Sequence, residues 1–323
     1  MDVAMIKLSL HFRTIFASLA VSLLSVSLSA CNQGGNVKEK VAASHARYDG
    51  PAMWKVTDQD STLYLFGTVH LMQPDIDWQR RDMQAAFDDV GTMFFETLDD
   101  DKSALQTSIL QRQYGVYPPG EQLSDHLDGI NFNRLTAAAY NAEVPLARLE
   151  GFKPWLAADI LVVAGADKAG LRYENSADAG MRAKAKQSDK NIRALDDIET
   201  YFNAVAKQPD RIQLDAFEKT IKNFNTLVAD TKTVNAAWLI GNTDLLEREL
   251  IAPTKSRSPE LYASLFTKRN DKWTNTLDDF MQGDNNAMVV VGIGHMLGVQ
   301  GLPMLLEDRG YEVERVRRLD LPN

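Results

Sequence analysis

The chain has one cysteine, Cys31, in 323 residues, so no intrachain disulfide can staple its fold. Positive charge is in deficit: 35 Lys and Arg stand against 44 Asp and Glu, for a formal net charge of −9. With no basic stripe and no nucleic-acid motif, a DNA or RNA partner is not expected. No repeat of solenoid period is present. No apolar run reaches the roughly 20 residues that a membrane-spanning helix needs. These absences leave a chain of ordinary globular composition, 45% hydrophobic, long enough for one large domain or two small ones.

The front end carries an address. Lys7 and Arg13 precede an apolar stretch from Thr14 to Leu28, followed by Leu28-Ser29-Ala30-Cys31. That three-part layout is a secretory signal, and the small residues before the cysteine resemble the lipobox of bacterial lipoproteins. The resemblance implies cleavage before Cys31 and acylation of its thiol and amino group, which would also remove a reactive exposed thiol. The expected organisation is a signal peptide over 1–30, a polar tether over 31–48 and a folded domain over 49–323. Asn32 follows the cysteine where Asp would be an inner-membrane signal. The expected location is therefore the bacterial cell envelope, on the outer membrane facing the periplasm, with the membrane reached only through the lipid.

The folded part reads as α/β. Ala52–Val56 and Thr62–Phe66 are strand-like runs joined by the polar turn Asp58-Gln59-Asp60-Ser61. Trp78–Val90 has helical spacing through Met83, Ala86, Phe87 and Val90. Further strands are expected at Val90–Glu96, Val144–Leu149, Ile192–Leu195, Ala287–Val291 and Tyr311–Val316, with a helix over Leu302–Arg309 stopped by Gly310. From about 101 to 282 the pattern is mainly helical, with amphipathic stretches at Phe132–Tyr140, Pro154–Ala164, Ala177–Gln187, Arg211–Val228 and Pro259–Met281. The predicted architecture is a mixed sheet with a large helical insertion between its N-terminal and C-terminal strands.

Two pieces far apart in sequence read alike: Leu65-Phe66-Gly67-Thr68-Val69-His70 and Val291-Gly292-Ile293-Gly294-His295. Each is an apolar run ending in Gly-x-x-His, which places an imidazole just past a strand end. A third run, Val90-Gly91-Thr92-Met93-Phe94-Phe95-Glu96, ends in a carboxylate. In open α/β sheets, ligands bind at the carboxyl ends of the strands. Two imidazoles and a carboxylate there form the ligand set of a divalent-metal site with an open position, suited to Mn, Co or Zn. His70, Glu96 and His295 are the expected metal ligands. Arg269, from the helical part, is the expected oxyanion donor. Asp196, beside Asp197 at a helix start, reads as an N-cap, and the role of Asn270 is open.

These residues, with Ser61-Thr62-Leu63-Tyr64 before the first motif, Gly294-His295-Met296-Leu297-Gly298 and Gly301-Leu302 around the second, Gly310-Tyr311, Lys153-Pro154-Trp155 and Arg269-Asn270, resemble the TraB/GumN family, which includes the TIKI-type metalloproteases. The resemblance runs from about Tyr48 to the C-terminus. It implies divalent-metal-dependent hydrolysis of a peptide or protein substrate, with Glu96 and Arg269 in the catalytic set. One departure is Leu195-Asp196, where the family often has Leu-Glu. Two other classes are consistent with the same residues: a non-catalytic lipoprotein that holds a metal ion or haem, and a regulator that captures a peptide.

Overall fold

The carboxylate of Asp58 accepts hydrogen bonds from the N–H groups of Asp60 and Ser61 and from the Ser61 hydroxyl, which lets an Asp side chain organise a turn. It folds strand β1 (Met53–Thr57) back on β2 (Thr62–Thr68) as an antiparallel pair. The structure is a computed structural model that describes residues 50–316. The signal segment, Cys31 and the tether 31–48 lie outside the described residues. Among the described residues no helix is long and apolar enough to cross a membrane.

Four more strands, β3 (Thr92–Phe95), β4 (Asn191–Ala194), β5 (Ala287–Gly292) and β6 (Glu312–Arg315), complete one six-stranded sheet in the order β4-β3-β5-β2-β1-β6. β4, β3, β5 and β2 run parallel, while β1 is antiparallel to both β2 and β6. The expected mixed sheet is therefore present, and the late strand β5 enters between the early strands β2 and β3. β5 has neighbours on both sides and is buried along its whole length, and its sequence Ala-Met-Val-Val-Val-Gly is accordingly apolar without alternation. Burying each of its valines contributes about 1.5–3 kcal/mol. The edge strands β4 and β6 instead alternate, exposing Arg193, Glu312 and Glu314.

The principal helices are α1 (Arg81–Asp89) between β2 and β3; α2 (Asp101–Gly115), α3 (Gly129–Asn141), α4 (Pro154–Lys168) and α5 (Ala177–Gln187) between β3 and β4; α6 (Ile198–Ala206), α7 (Asp210–Lys222), α8 (Leu227–Leu239) and α9 (Lys268–Met281) between β4 and β5; and α10 (Leu302–Glu307) before β6. Side-chain oxygens of Asp100, Asp128, Ser176 and Asp197 cap α2, α3, α5 and α6. Adjacent residues of a strand face opposite sides of a sheet, so β3 shows how the layers lie. Phe95 lies under the Arg182 guanidinium of α5, 4.2 Å away, while Phe94 meets Phe280 of α9 edge-on at 5.3 Å. Helices thus cover both faces. A second apolar core, containing Leu135, Leu161, Val162, Phe217 and Ile221, lies among α3, α4 and α7 beside the sheet core.

Two local expectations are corrected and a third is refined. Val144–Leu149 is no strand: Pro145 has no N–H to give a ladder, and Leu146–Leu149 makes a helical turn after it. Arg211–Val228 is not one helix but the junction of α7 and α8. The break falls at Asn223-Phe224-Asn225-Thr226, where short polar side chains compete for backbone groups. Pro259–Met281 is helical but passes through a π-helical stretch, Ala263–Thr267, before α9; another covers Glu247–Ile251.

Candidate active site

The parallel strands end together. Thr68 of β2 lies beside Gly292 of β5, and Phe95 of β3 beside both Val290 of β5 and Ala194 of β4. Residues immediately beyond these ends are His70, Glu96, Asp196 and His295, so four distant segments deliver their polar side chains to one rim. Helix α8 pins the stretch carrying His70 from both sides. Trp238 Nε1 donates to the Gly67 carbonyl at 2.7 Å and Asn235 Nδ2 to the Leu71 carbonyl at 2.8 Å. The leading glycine of each Gly-x-x-His has a steric reason. A Cβ on Gly67 would lie 2.3 Å from Ile293 Cδ1, and one on Gly292 would lie 3.0 Å from His70 Nε2 and 3.2 Å from Glu96 Oε1.

Glu96 is the hub. Its Oε1 accepts the Gly292 N–H at 2.9 Å and its Oε2 accepts Arg269 Nη2 at 2.6 Å. Burial opposes its charge, but Arg269 and the Gly292 hydrogen bond outweigh this and hold the carboxyl well below the usual carboxylate range. Oε1 also lies 4.0 Å from His70 Nε2 and 4.0 Å from His295 Nε2.

His295 sits on the turn after β5, with its ring 4.3 Å from Trp273 and 5.1 Å from Phe266 between centroids. Asn270 sets its tautomer. The Asn270 amide nitrogen donates to the carbonyls of Gln300 at 2.6 Å and His295 at 3.3 Å, so its oxygen faces His295 Nδ1 at 2.6 Å. Nδ1 therefore carries the proton, and the Nε2 lone pair points toward Glu96 and Arg269. Burial and then the Arg269 charge push the His295 pKa down to about 3, which keeps the ring neutral.

Arg269 enters the site as a buried ion-pair partner of Glu96 and Asp196. It is only 4% exposed, on the first turn of α9. Its Nε donates to Asp196 Oδ2 at 2.8 Å, its Nη1 to the Leu265 carbonyl and toward His295 Nε2, each at 3.2 Å, and its Nη2 to Glu96. Burial works against its charge, but Glu96 and Asp196 more than restore it. In this arrangement it orients Glu96 and keeps it ionised. Asp196 is not an N-cap: Asp197 caps α6, while Asp196 is buried and bridges Arg269 and Lys272, the latter at 3.0 Å. Its shorter reach serves a guanidinium, not a metal ion. A reader of the sequence could have found it: Asp196 follows β4 as Glu96 follows β3.

Among the described residues, no group of three or more His, Cys, Asp or Glu closes to metal-ligand spacing. The departure is small. Donors about 2.1 Å from a cation and tetrahedrally arranged stand about 3.4 Å apart, against 4.0 Å for the two histidine–Glu96 distances. Each histidine–Glu96 pair is thus about 0.6 Å wider than that spacing. His295 offers an unprotonated Nε2, toward which Arg269 Nη1 donates at 3.2 Å, and it is backed by an outer Asn, the usual support for a ligating imidazole. His70 Nδ1 is buried with no hydrogen-bond partner among the described residues. The donor set fits a divalent cation.

A pocket of about 750 Å³, including its open mouth, lies against His70, Glu96 and His295, with α8 along its other side; Arg269 does not line it. Residues 52–315 match the TraB/PrgY/gumN family, and the chain belongs to that family. No curated protein and no solved structure matches it.

Proposed function

We propose that this protein is a divalent-metal-dependent hydrolase of peptides, anchored to the bacterial envelope by a lipid on Cys31. The observation that carries the reading is the meeting of His70, Glu96 and His295 at the rim of the sheet, with Asn270 holding the His295 proton on Nδ1 so that Nε2 stays unprotonated. Membership of the TraB/PrgY/gumN family supports it. His70, Glu96 and His295 would hold the ion, with Mn, Co or Zn suited to such a set. A bound divalent cation supplies Lewis acidity toward a carbonyl and makes water a stronger nucleophile near neutral pH.

The protein's own groups do the rest. Arg269 and the Gly292 N–H fix the Glu96 carboxylate as an anion in one orientation. So low a proton affinity suits a ligand better than a general base, whose pKa works best near the operating pH. Asp196 and Lys272 hold the Arg269 guanidinium in place.

Cleavage of a peptide library by the purified protein, before and after chelation and after added Mn, Co or Zn, tests the activity. Cleavage that chelation stops and metal restores is the expected result. Failure of every peptide to be cleaved, together with haem or metal binding through His70 and His295, would favour the non-catalytic binding lipoprotein. The anchor is tested separately: Cys31→Ser should move the protein out of the membrane fraction, since stable anchoring needs acyl chains. Unchanged membrane retention would reject the anchor.

A further inference from the structure

The pocket beside the three ligand candidates lies where the sheet core and the helical core meet. Leu227 belongs to the helical core, while Leu250, Phe266 and Ile293 belong to the sheet core. Junctions of this kind are preferred places for ligand sites. Helix α8 gives it one continuous face: Leu227, Asp230, Thr231, Val234 and Asn235 follow the i, i+3, i+4, i+7, i+8 spacing of a single helical stripe.

The facing wall is unusual in its backbone. Leu250 and Phe266 both come from π-helical stretches, Glu247–Ile251 and Ala263–Thr267. π-Helical turns are rare and frequently mark functional sites. Two of them each place an apolar side chain in the same pocket wall. With Leu227 and Val234 of α8 and with Ile293, they make the pocket largely apolar, and His70, Glu96 and His295 also line it.

Two polar features qualify the apolar wall. The Thr68 hydroxyl is in the lining, in a residue 1% exposed, and its Oγ1 has no hydrogen-bond partner among the described residues. It is the kind of buried group that a bound ligand satisfies. Asp230, tied to the Thr226 hydroxyl at 2.8 Å, presents a carboxyl group from the same face of α8. It opposes entry of an acidic group.

We propose that this is the specificity pocket of the hydrolase, receiving the bulky aliphatic or aromatic side chain of a peptide residue next to the cleaved bond and rejecting acidic ones. The substrate class follows: extended peptides with a bulky apolar residue beside the scissile bond. This rests on the hydrolase reading above, so its test has an arm that needs no turnover.

In the first arm, the metal-loaded protein is given a quenched fluorescent peptide set varied one position at a time. One position flanking the cleaved bond should favour Leu or Phe over Ala and Glu by tenfold or more in kcat/KM, the scale that apolar pockets deliver. Val234→Phe narrows the pocket from α8. It should lower the Leu-to-Ala and Phe-to-Ala ratios of kcat/KM at least tenfold. Thr231→Phe, on the same face, is the second variant should Val234→Phe fail to give a parent-like thermal melt. In the second arm, chelated protein is titrated calorimetrically with Ala-Ala-Leu-Ala-Ala and Ala-Ala-Glu-Ala-Ala. The Leu peptide should bind at least tenfold tighter, and the pocket-filling variant should lose that margin.

Cleavage with no apolar preference at either flanking position, or with a profile that neither variant changes, overturns the pocket and leaves the hydrolase standing. Apolar-selective binding lost on filling, with no cleavage under any metal, keeps the pocket and rejects the hydrolase. Equal binding of the two peptides without cleavage rejects both.

Discussion

Replacing Asn270 with Leu tests whether a side chain outside the proposed ligand set controls the lone pair of His295. Asn270 is 1% exposed and serves two buried groups, His295 Nδ1–H and the His295 carbonyl, and the half-buried Gln300 carbonyl. Leucine keeps the approximate volume but serves none of them. At about 1–3 kcal/mol for each buried group left unsatisfied, a stability loss of at least about 2 kcal/mol is expected in urea unfolding. Without the Asn270 oxygen the imidazole proton is no longer held at Nδ1. On Nε2 it would face the Arg269 cation and occupy the lone pair intended for a metal. Competition titrations with a chromogenic chelator should show affinity for Mn, Co or Zn reduced about 10–100-fold, the usual cost of removing such an outer partner. Asn270→Asp keeps an acceptor beside Nδ1, so it should hold metal affinity within a few-fold of the parent while still losing stability. Nitrogen-15 spectra of the histidine rings should report the Nδ1–H tautomer for His295 in the metal-free parent. An Nε2–H tautomer there, or unchanged metal affinity in a folded Asn270→Leu protein, would refute the reasoning.

Two further outcomes follow from the same charge network. Asp196→Asn removes the fully buried carboxylate that bridges Arg269 and Lys272, and breaking one side of a buried pair typically costs about 3–5 kcal/mol; because Lys272 is half exposed, a loss near the low end is expected from urea unfolding, and a loss under about 1 kcal/mol would contradict the bridging role. In metal-free protein, stability should decline as the pH is lowered from about 6.5 toward 3. His295 folds with its pKa depressed from 6.5 to about 3, so the unfolded chain binds the extra proton across that window. Glu96, with its folded pKa below the usual range, adds a loss of the same sign below about 4.5. Urea unfolding at pH 7.5 and pH 5 measures the slope, and a protein more stable at pH 5 would reverse the sign worked here.

The parts of the fold legible in the sequence were those with a short-range signal. The Asp58–Ser61 turn, the apolar strand β5 and the two Gly-x-x-His strand ends announce themselves through turn chemistry and apolar runs, and β5 does pair with β2 despite their distance in sequence. The apolar residues of Val144–Leu149 fit a strand as well as a helical turn, and Pro145 decides between them through a backbone donor it lacks. The junction between α7 and α8 was hidden because the apolar period runs on through Asn223–Thr226. At the site, His70, Glu96 and His295 could be nominated from strand ends alone, and the rim does gather them. Asn270 carries no such cue because its partner is tertiary, a histidine 25 positions later, while Asp196 has the strand-end cue of β4 but an arginine partner 73 positions later. Arg269 stood amid Lys268, Asp271 and Lys272 like a surface residue, yet its place at the start of α9 buries it beneath Glu96. The pocket was the least legible feature, since α8 lines it with residues that read equally well as ordinary core.

The metal content of purified protein, measured by elemental analysis beside His70→Ala and His295→Ala prepared identically, bears most directly on the central claim. One divalent ion per chain in the parent, removed by a chelator and regained on adding Mn, Co or Zn, is the predicted result, with both variants well below stoichiometry while still melting cooperatively. A parent that takes up no divalent ion, or folded histidine variants that retain it at parent levels, would contradict the proposal that these residues form a metal centre.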